Sequence, residues 1–305
     1  ALYRLCYNHT TWDACNFAVP AASPHLLCIA CRQTHRLPDL SDPGNLRHWI
    51  RIEEAKRQLF YTLARLGLQP TDDSAPPHAG PTYAFLADLP GEPGIVTGHH
   101  GGTITLNVAE ADDDERARRR IALHEPYRTL IGHLRHESGH FYWDRLVRDA
   151  DKLDAFRAVF GDERLDYATA LSEHYAQGAR TDWSHHHVSA YAAAHPWEDW
   201  AETWAHYLHM VDLLETAAAY ATGLNLPGAN AAPREHVANP FGQPAPGFDT
   251  MVRQWVPLTL LLNSLNRSLG QQDAYPFALS AGALRKLRFV HDTIAQGSSV
   301  PAVRT

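Results

Sequence analysis

Leu134-Arg135-His136-Glu137-Ser138-Gly139-His140-Phe141-Tyr142-Trp143 is the stretch on which the reading of this chain turns. It contains His-Glu-x-x-His. On a helix, residues four apart lie one turn above each other on the same face, so the imidazoles of His136 and His140 can reach one metal ion. Glu137, beside the first histidine, can reach a metal-activated water without being a ligand itself. In a chain with 20 histidines the pattern arises at random roughly once in twenty chains, so its surroundings matter. Leu130, Ile131, Leu134, Phe141, Tyr142, Trp143 and Leu146 leave few directions around the helix for solvent, as expected of a helix crossing a core. A carboxylate and two imidazoles on such a helix need partners, and a zinc ion provides one.

A zinc hydrolase takes a third protein ligand and keeps a fourth position open. No histidine follows His140 at short range; the chain continues Phe141-Tyr142-Trp143-Asp144-Arg145. The candidate lies in His195-Pro196-Trp197-Glu198-Asp199-Trp200-Ala201-Glu202-Thr203-Trp204-Ala205-His206. Pro196 suits a first helical position, and acidic residues in the next turn complement the helix dipole. Glu198, Glu202, His206 and His209 then form one polar stripe. A solvated helix face is usually Lys, Glu and Arg, whereas this one is Glu and His beside three tryptophans. Glu198 as ligand, with Glu202 hydrogen-bonded to a metal-bound imidazole, gives a workable arrangement. The exchange of those two roles stays open.

Outward from these motifs, the chain reads as α+β and predominantly helical, with a small β-sheet. Helical spacing runs from Leu46 to Leu68, then roughly over 127–149, 163–177, 197–222, 248–269 and 280–295. Tyr83-Ala84-Phe85-Leu86 and the alternating Thr103-Ile104-Thr105-Leu106-Asn107-Val108, after Gly101-Gly102, read as strands. Residues Gln69 to Gly80 and Gly223 to Gly247 read as loops, and Trp255 to Leu262 as core packing. The expected organisation is a cysteine module over 1–45 and a catalytic domain over 46–305.

The chain's 305 residues carry a net charge of −7 and a pI near 6.3, no basic field for nucleic acid or anionic lipid. No apolar run reaches the roughly 20 residues of a membrane span. All four cysteines lie in the first 31 residues. Cys28-x-x-Cys31 has the spacing of half a zinc knuckle, and Cys6 with Cys15 would complete a four-thiolate structural site. Cys6-x-x-His9 offers an alternative ligand. Such clustering suits a reducing compartment, with the cytoplasm as the expected location. A partner of this module is not named by the sequence.

The segment Leu134 to Leu146, with Ser189-Ala190-Tyr191 running into His195 to Glu202, resembles the bacterial zinc-binding metallopeptidases. Cys15-Asn16-Phe17 with Val19-Pro20, Cys28-x-x-Cys31, Leu37-Pro38-Asp39-Leu40 and Asn263-Ser264-Leu265-Asn266-Arg267-Ser268 are similar to that family too. The resemblance implies a zinc-ribbon-like N-terminus, a zincin-like domain of gluzincin type, a glutamate as third ligand (supporting Glu198), and a peptide or protein substrate. The Glu-x-x-x-Glu pattern also resembles gluzincin toxin proteases, in which a tyrosine can assist. Tyr191 is the candidate, as a donor to the tetrahedral oxyanion; His185-His186-His187 and His195 are rivals. Zincins commonly pair extended substrate with a strand beside the active helix, and Thr103 to Val108 is the expected edge, with His99 and His100 lining the cleft. Two other readings stand beside the peptidase: a zinc hydrolase of an ester or non-peptide amide, and a non-catalytic interaction protein. An intact Glu137 argues against the second.

Overall fold

A computed structural model describes residues 2–70, 80–122, 129–224 and 235–297. Most of the loop expected over 69–80, part of that expected over 223–247, and the start of the helix expected over 127–149 fall outside that range. The chain divides into two compact units, Ala1–Asp144 and Arg145–Thr305.

The first unit opens with a hairpin of β1 (Tyr3–Leu5) and β2 (Ala18–Pro20), with the short helix α1 (Tyr7–Trp12) between them. β3 (Thr34–Arg36) then leads into α2 (Pro43–Arg65). Asp42 caps α2, its carboxylate accepting from the amides of Gly44 and Asn45 at 2.6 and 3.2 Å, and Pro43 occupies the first turn. Trp49, Ile52, Leu59 and Leu63 bury its apolar face. β4 (Thr82–Leu86), β5 (Gly98–His100) and β6 (Thr103–Asn107) complete a four-stranded sheet of order β3-β4-β6-β5. β3, β4 and β6 are parallel, α2 is the crossover between the first two, and β5 is antiparallel to β6. Gly101 and Gly102, at φ of 55° and 83°, make the two-residue turn from β5 to β6, a geometry that strongly favours glycine.

That turn corrects one expectation. Thr103 to Val108 is not a sheet edge: β4 covers one side of β6, and β5 pairs with Thr103, Ile104 and Thr105 on the other. The outer strand is β5, folded back by the glycine turn.

After α3 (Asp113–Ala122), α4 (Leu130–Trp143) carries the His-Glu-x-x-His motif and packs against α2 and β5. Thr129 caps α4 by accepting from the Gly132 amide at 3.0 Å. Leu134, Phe141, Tyr142 and Trp143 are buried around it, and the Tyr142 hydroxyl donates to the Leu68 carbonyl at 3.1 Å. The helix is therefore anchored on several sides, which fixes the direction of its two histidines.

A π-helical turn, Asp144–Arg148, lies at the boundary between the units. The second unit comprises α5 (Leu153–Phe160), α6 (Tyr167–Gln177), α7 (Pro196–Ala219), the strand pair β7 (Gly223–Leu224) and β8 (Glu235–His236), α8 (Phe248–Ser268) and α9 (Ala281–Gly297). α7 is the central helix, with α5, α8 and α9 packed on it. Phe156 and Phe160 stack at 4.9 Å and meet Trp200 edge-on. α9 passes so close to residues 185 and 186 that a Cβ at Gly282 would lie 2.4 Å from the His185 carbonyl oxygen. Helices α3 and α5 escaped the periodicity reading because one has seven charged residues in ten and the other has only eight residues. The core assignment for Trp255 to Leu262 holds for Trp255, Leu258 and Thr259. Leu260 and Leu261 are exposed on the far face of α8.

Candidate metal centres

Two sets of ligand-type side chains lie within the first unit. Cys6, Cys15, Cys28 and Cys31 are all buried, and their sulfurs lie within 4.8 Å of one another. Cys15 Sγ and Cys28 Sγ are 3.7 Å apart. Backbone amides point at the sulfurs: Phe17 to Cys15 at 3.3 Å, Cys28 to Cys6 at 3.2 Å and Cys31 to Cys28 at 3.4 Å. Sulfur–sulfur hydrogen bonds hold Cys6 and Cys15 below the ordinary thiol range, Cys15 at about 7, and push Cys28 and Cys31 above it. Four thiols this close cannot all ionise unless a cation offsets the charge, so the donor set fits a closed zinc site. His9 is not part of it: its Nδ1 meets the Cys15 carbonyl oxygen at 2.7 Å.

On α4 the rings of His136 and His140 stand 4.9 Å apart between centroids, at 81°. His140 is buried and His136 half-buried. Between them in sequence, Glu137 Oε2 is shielded from solvent and has no hydrogen-bond partner among the described residues. A buried carboxylate oxygen with no donor is costly, and a water able to give up a proton is a fitting partner. Two imidazoles on one face beside such a carboxylate suit a catalytic zinc. At the outer strand, His99 Nε2 accepts from the Gly102 amide at 3.2 Å, which ties that histidine to the turn, while His100 is exposed.

In the second unit, the first turns of α7 carry Glu198 and Glu202. His195 caps the helix, its Nδ1 accepting from the Trp197 amide at 3.1 Å, and its Nε2 lies 3.1 Å from the Leu165 carbonyl oxygen. Both ring nitrogens of His195 are thereby engaged within the second unit. Glu198 is 1% exposed, and Tyr167 donates to its Oε1 at 2.7 Å. Glu202 accepts from the Ser189 hydroxyl at 2.6 Å. Tyr191 packs against the rings of His174 and Tyr175. Burial, and secondarily the Glu198 charge, pushes its phenol far above the usual range, so it remains a donor.

The polar stripe expected on α7 is not a solvated face. His206 is buried, its Nδ1 2.6 Å from the Tyr275 hydroxyl, and burial lowers its pKa to about 4. Asp199 is buried too, with Lys286 Nζ at 2.5 Å and His187 Nδ1 at 3.1 Å from its Oδ2. His185 and His186 are exposed. Tyr167 and Lys286 went unnoticed in the sequence because they lie 31 and 87 residues from their carboxylate partners, beyond any local spacing rule.

The fold and these donor sets define a zinc-binding class of protein: a buried four-cysteine module and a helix presenting His-Glu-x-x-His. Residues 45–293 match the family described as "Putative zinc-binding metallo-peptidase", and residues 1–42 match a zinc-ribbon domain. The chain belongs to this metallopeptidase family. It is 40% identical, over 296 residues, to uncharacterized proteins of Mycobacterium bovis and of Mycobacterium tuberculosis strains CDC 1551 and H37Rv, covering 95% of this chain and 82% of each relative. No solved structure matches the chain. No helix among the described residues is long and apolar enough to cross a membrane.

Proposed function

We propose that this protein is a gluzincin-like peptidase that hydrolyses peptide bonds with Glu137 as general base. His136, His140 and Glu198 would hold the catalytic zinc, and the four cysteines a structural one. The observation that carries the reading is the pair of edge-to-face imidazoles, one turn apart on α4, flanking a carboxylate oxygen that is buried without a hydrogen-bond partner among the described residues. When bound, zinc would polarise the scissile carbonyl and lower the pKa of the attacking water. Glu137 takes the proton from that water and delivers it to the departing amine. Tyr191, kept protonated by burial, donates a hydrogen bond to the tetrahedral oxyanion. As third ligand, Glu198 has two supports: its burial, and its place in the first turn of α7 where the helix dipole favours an anion. Glu202, held by Ser189, serves to orient a zinc-bound imidazole. The proposed organisation is a ribbon module over 1–45 and a catalytic domain over 46–305, working in the cytoplasm.

The test couples metal analysis to cleavage of a mixed peptide library. The wild type should bind two zinc ions per chain and cleave. Glu137→Gln should keep both ions and lose at least about 100-fold in rate, the usual scale of a general base. Retention of cleavage by Glu137→Gln would refute the assignment.

A further inference from the structure

α6 is an unusual helix for its position: none of its residues is buried, yet its first residue sends a hydroxyl to a carboxylate that is 1% exposed. Tyr167 Oη lies 2.7 Å from Glu198 Oε1. That is the length of a charge-assisted bond between a hydroxyl and a carboxylate, a stronger class than neutral pairs. The tyrosine is itself held from two sides. Its ring meets His195 edge-on at 5.3 Å and Trp197 edge-on at 5.7 Å. Because His195 Nδ1 accepts from the Trp197 amide, its Nε2 carries the proton and donates to the Leu165 carbonyl. One histidine therefore caps α7 and ties down the backbone two residues before Tyr167. Asp166 in turn caps α6 by accepting from the Thr169 amide at 2.8 Å.

We propose that Tyr167 is a positioning residue for Glu198: its phenol fixes the carboxylate's rotamer by occupying Oε1, leaving Oε2 directed to the metal. The inference rests on the reading of Glu198 as a zinc ligand. A glutamate has three side-chain torsions, so an unrestrained one loses freedom on binding a metal. A donor already in place removes part of that loss and raises affinity without touching the ion. Partners of this kind typically govern about 10- to 100-fold of metal affinity.

The test uses the full chain and cobalt as the probe. Cobalt in the thiolate cluster is recognised by its intense charge-transfer absorption, which separates it from the weaker bands of a nitrogen–oxygen site. The cobalt Kd of the latter site is measured for wild type, Tyr167→Phe, Tyr175→Phe, Glu198→Ala and the Tyr167→Phe/Glu198→Ala double variant. Tyr167 is 40% exposed, so loss of its hydroxyl alone leaves the packing of the fold in place. Tyr167→Phe should bind cobalt about 10- to 100-fold more weakly, and Tyr175→Phe, from the same helix, within twofold of wild type. Since Tyr167 acts through Glu198, the double variant should bind no more weakly than Glu198→Ala. Tyr167→Phe binding within twofold of wild type, or a further loss in the double variant, overturns the inference while Glu198 stands as ligand. Wild-type affinity in Glu198→Ala removes the ligand assignment, and this inference with it.

Discussion

Replacing Lys286 by methionine keeps most of the apolar stem of the side chain and removes the cation facing Asp199. In the folded protein Lys286 Nζ lies 2.5 Å from Asp199 Oδ2, and the two side chains are 8% and 1% exposed. Asp199 Oδ1 has no hydrogen-bond partner among the described residues. After the replacement the carboxylate keeps, among the described residues, His187 Nδ1, at 3.1 Å and on a ring 23% exposed. Removing one partner of a buried pair costs about 3–5 kcal/mol, because the remaining charge stays out of water without compensation. At roughly 2–4 °C per kcal/mol for a domain of 150–250 residues, the unfolding midpoint should fall by about 6–20 °C. Urea denaturation followed by far-ultraviolet circular dichroism measures the loss directly. Lys286→Met/Asp199→Leu, which removes both charges, should recover most of it. A loss below about 1 kcal/mol in the single variant, or a double variant less stable than the single, would show that the pair does not brace α9 against α7.

Acid should weaken the second unit through His206. Burial holds that imidazole at about 4, below the 6.5 of an unfolded histidine, so the unfolded chain binds more protons between these values. The contribution is fully present above about pH 6.5 and declines as pH falls towards 4, reaching a loss of about 2.5 kcal/mol by pH 4.5. Urea titrations at pH 7 and 4.5 on wild type and His206→Gln isolate it, since the variant should lack that component of the pH dependence. Gly282→Ala should destabilise by about 1–3 kcal/mol, because its Cβ would strike backbone and not a movable side-chain end; a neutral effect on the thermal midpoint counts against the close approach. Cys28→Ser should lower zinc content by one ion per chain and expose residues 1–42 to limited proteolysis, with His136 and His140 still loaded. Unchanged stoichiometry by mass spectrometry under native conditions would contradict the four-thiolate site.

Much of this molecule is legible in one dimension because its decisive features are local. A histidine pair four residues apart on a helix must share a face, whatever the rest of the chain does. The same holds for Cys28-x-x-Cys31, for the proline and acidic residues that begin α7, and for the alternation that marks β6. Local spacing says nothing about strand order, however. Thr103 to Val108 reads as an edge until the turn at Gly101-Gly102 brings β5 alongside it, because pairing is a choice between distant segments. Nor does helical periodicity distinguish a solvated stripe from a buried one. The acidic and histidine face of α7 is enclosed by partners from residues 167, 187, 189, 275 and 286, which supply the hydrogen bonds that make burial affordable. The sequence by itself determined the ligand types and the helix that presents two of them. Only the tertiary structure decided which side chains hold Glu198, Asp199 and His206 in place, since a hydrogen bond depends on positions in space and not on separation along the chain.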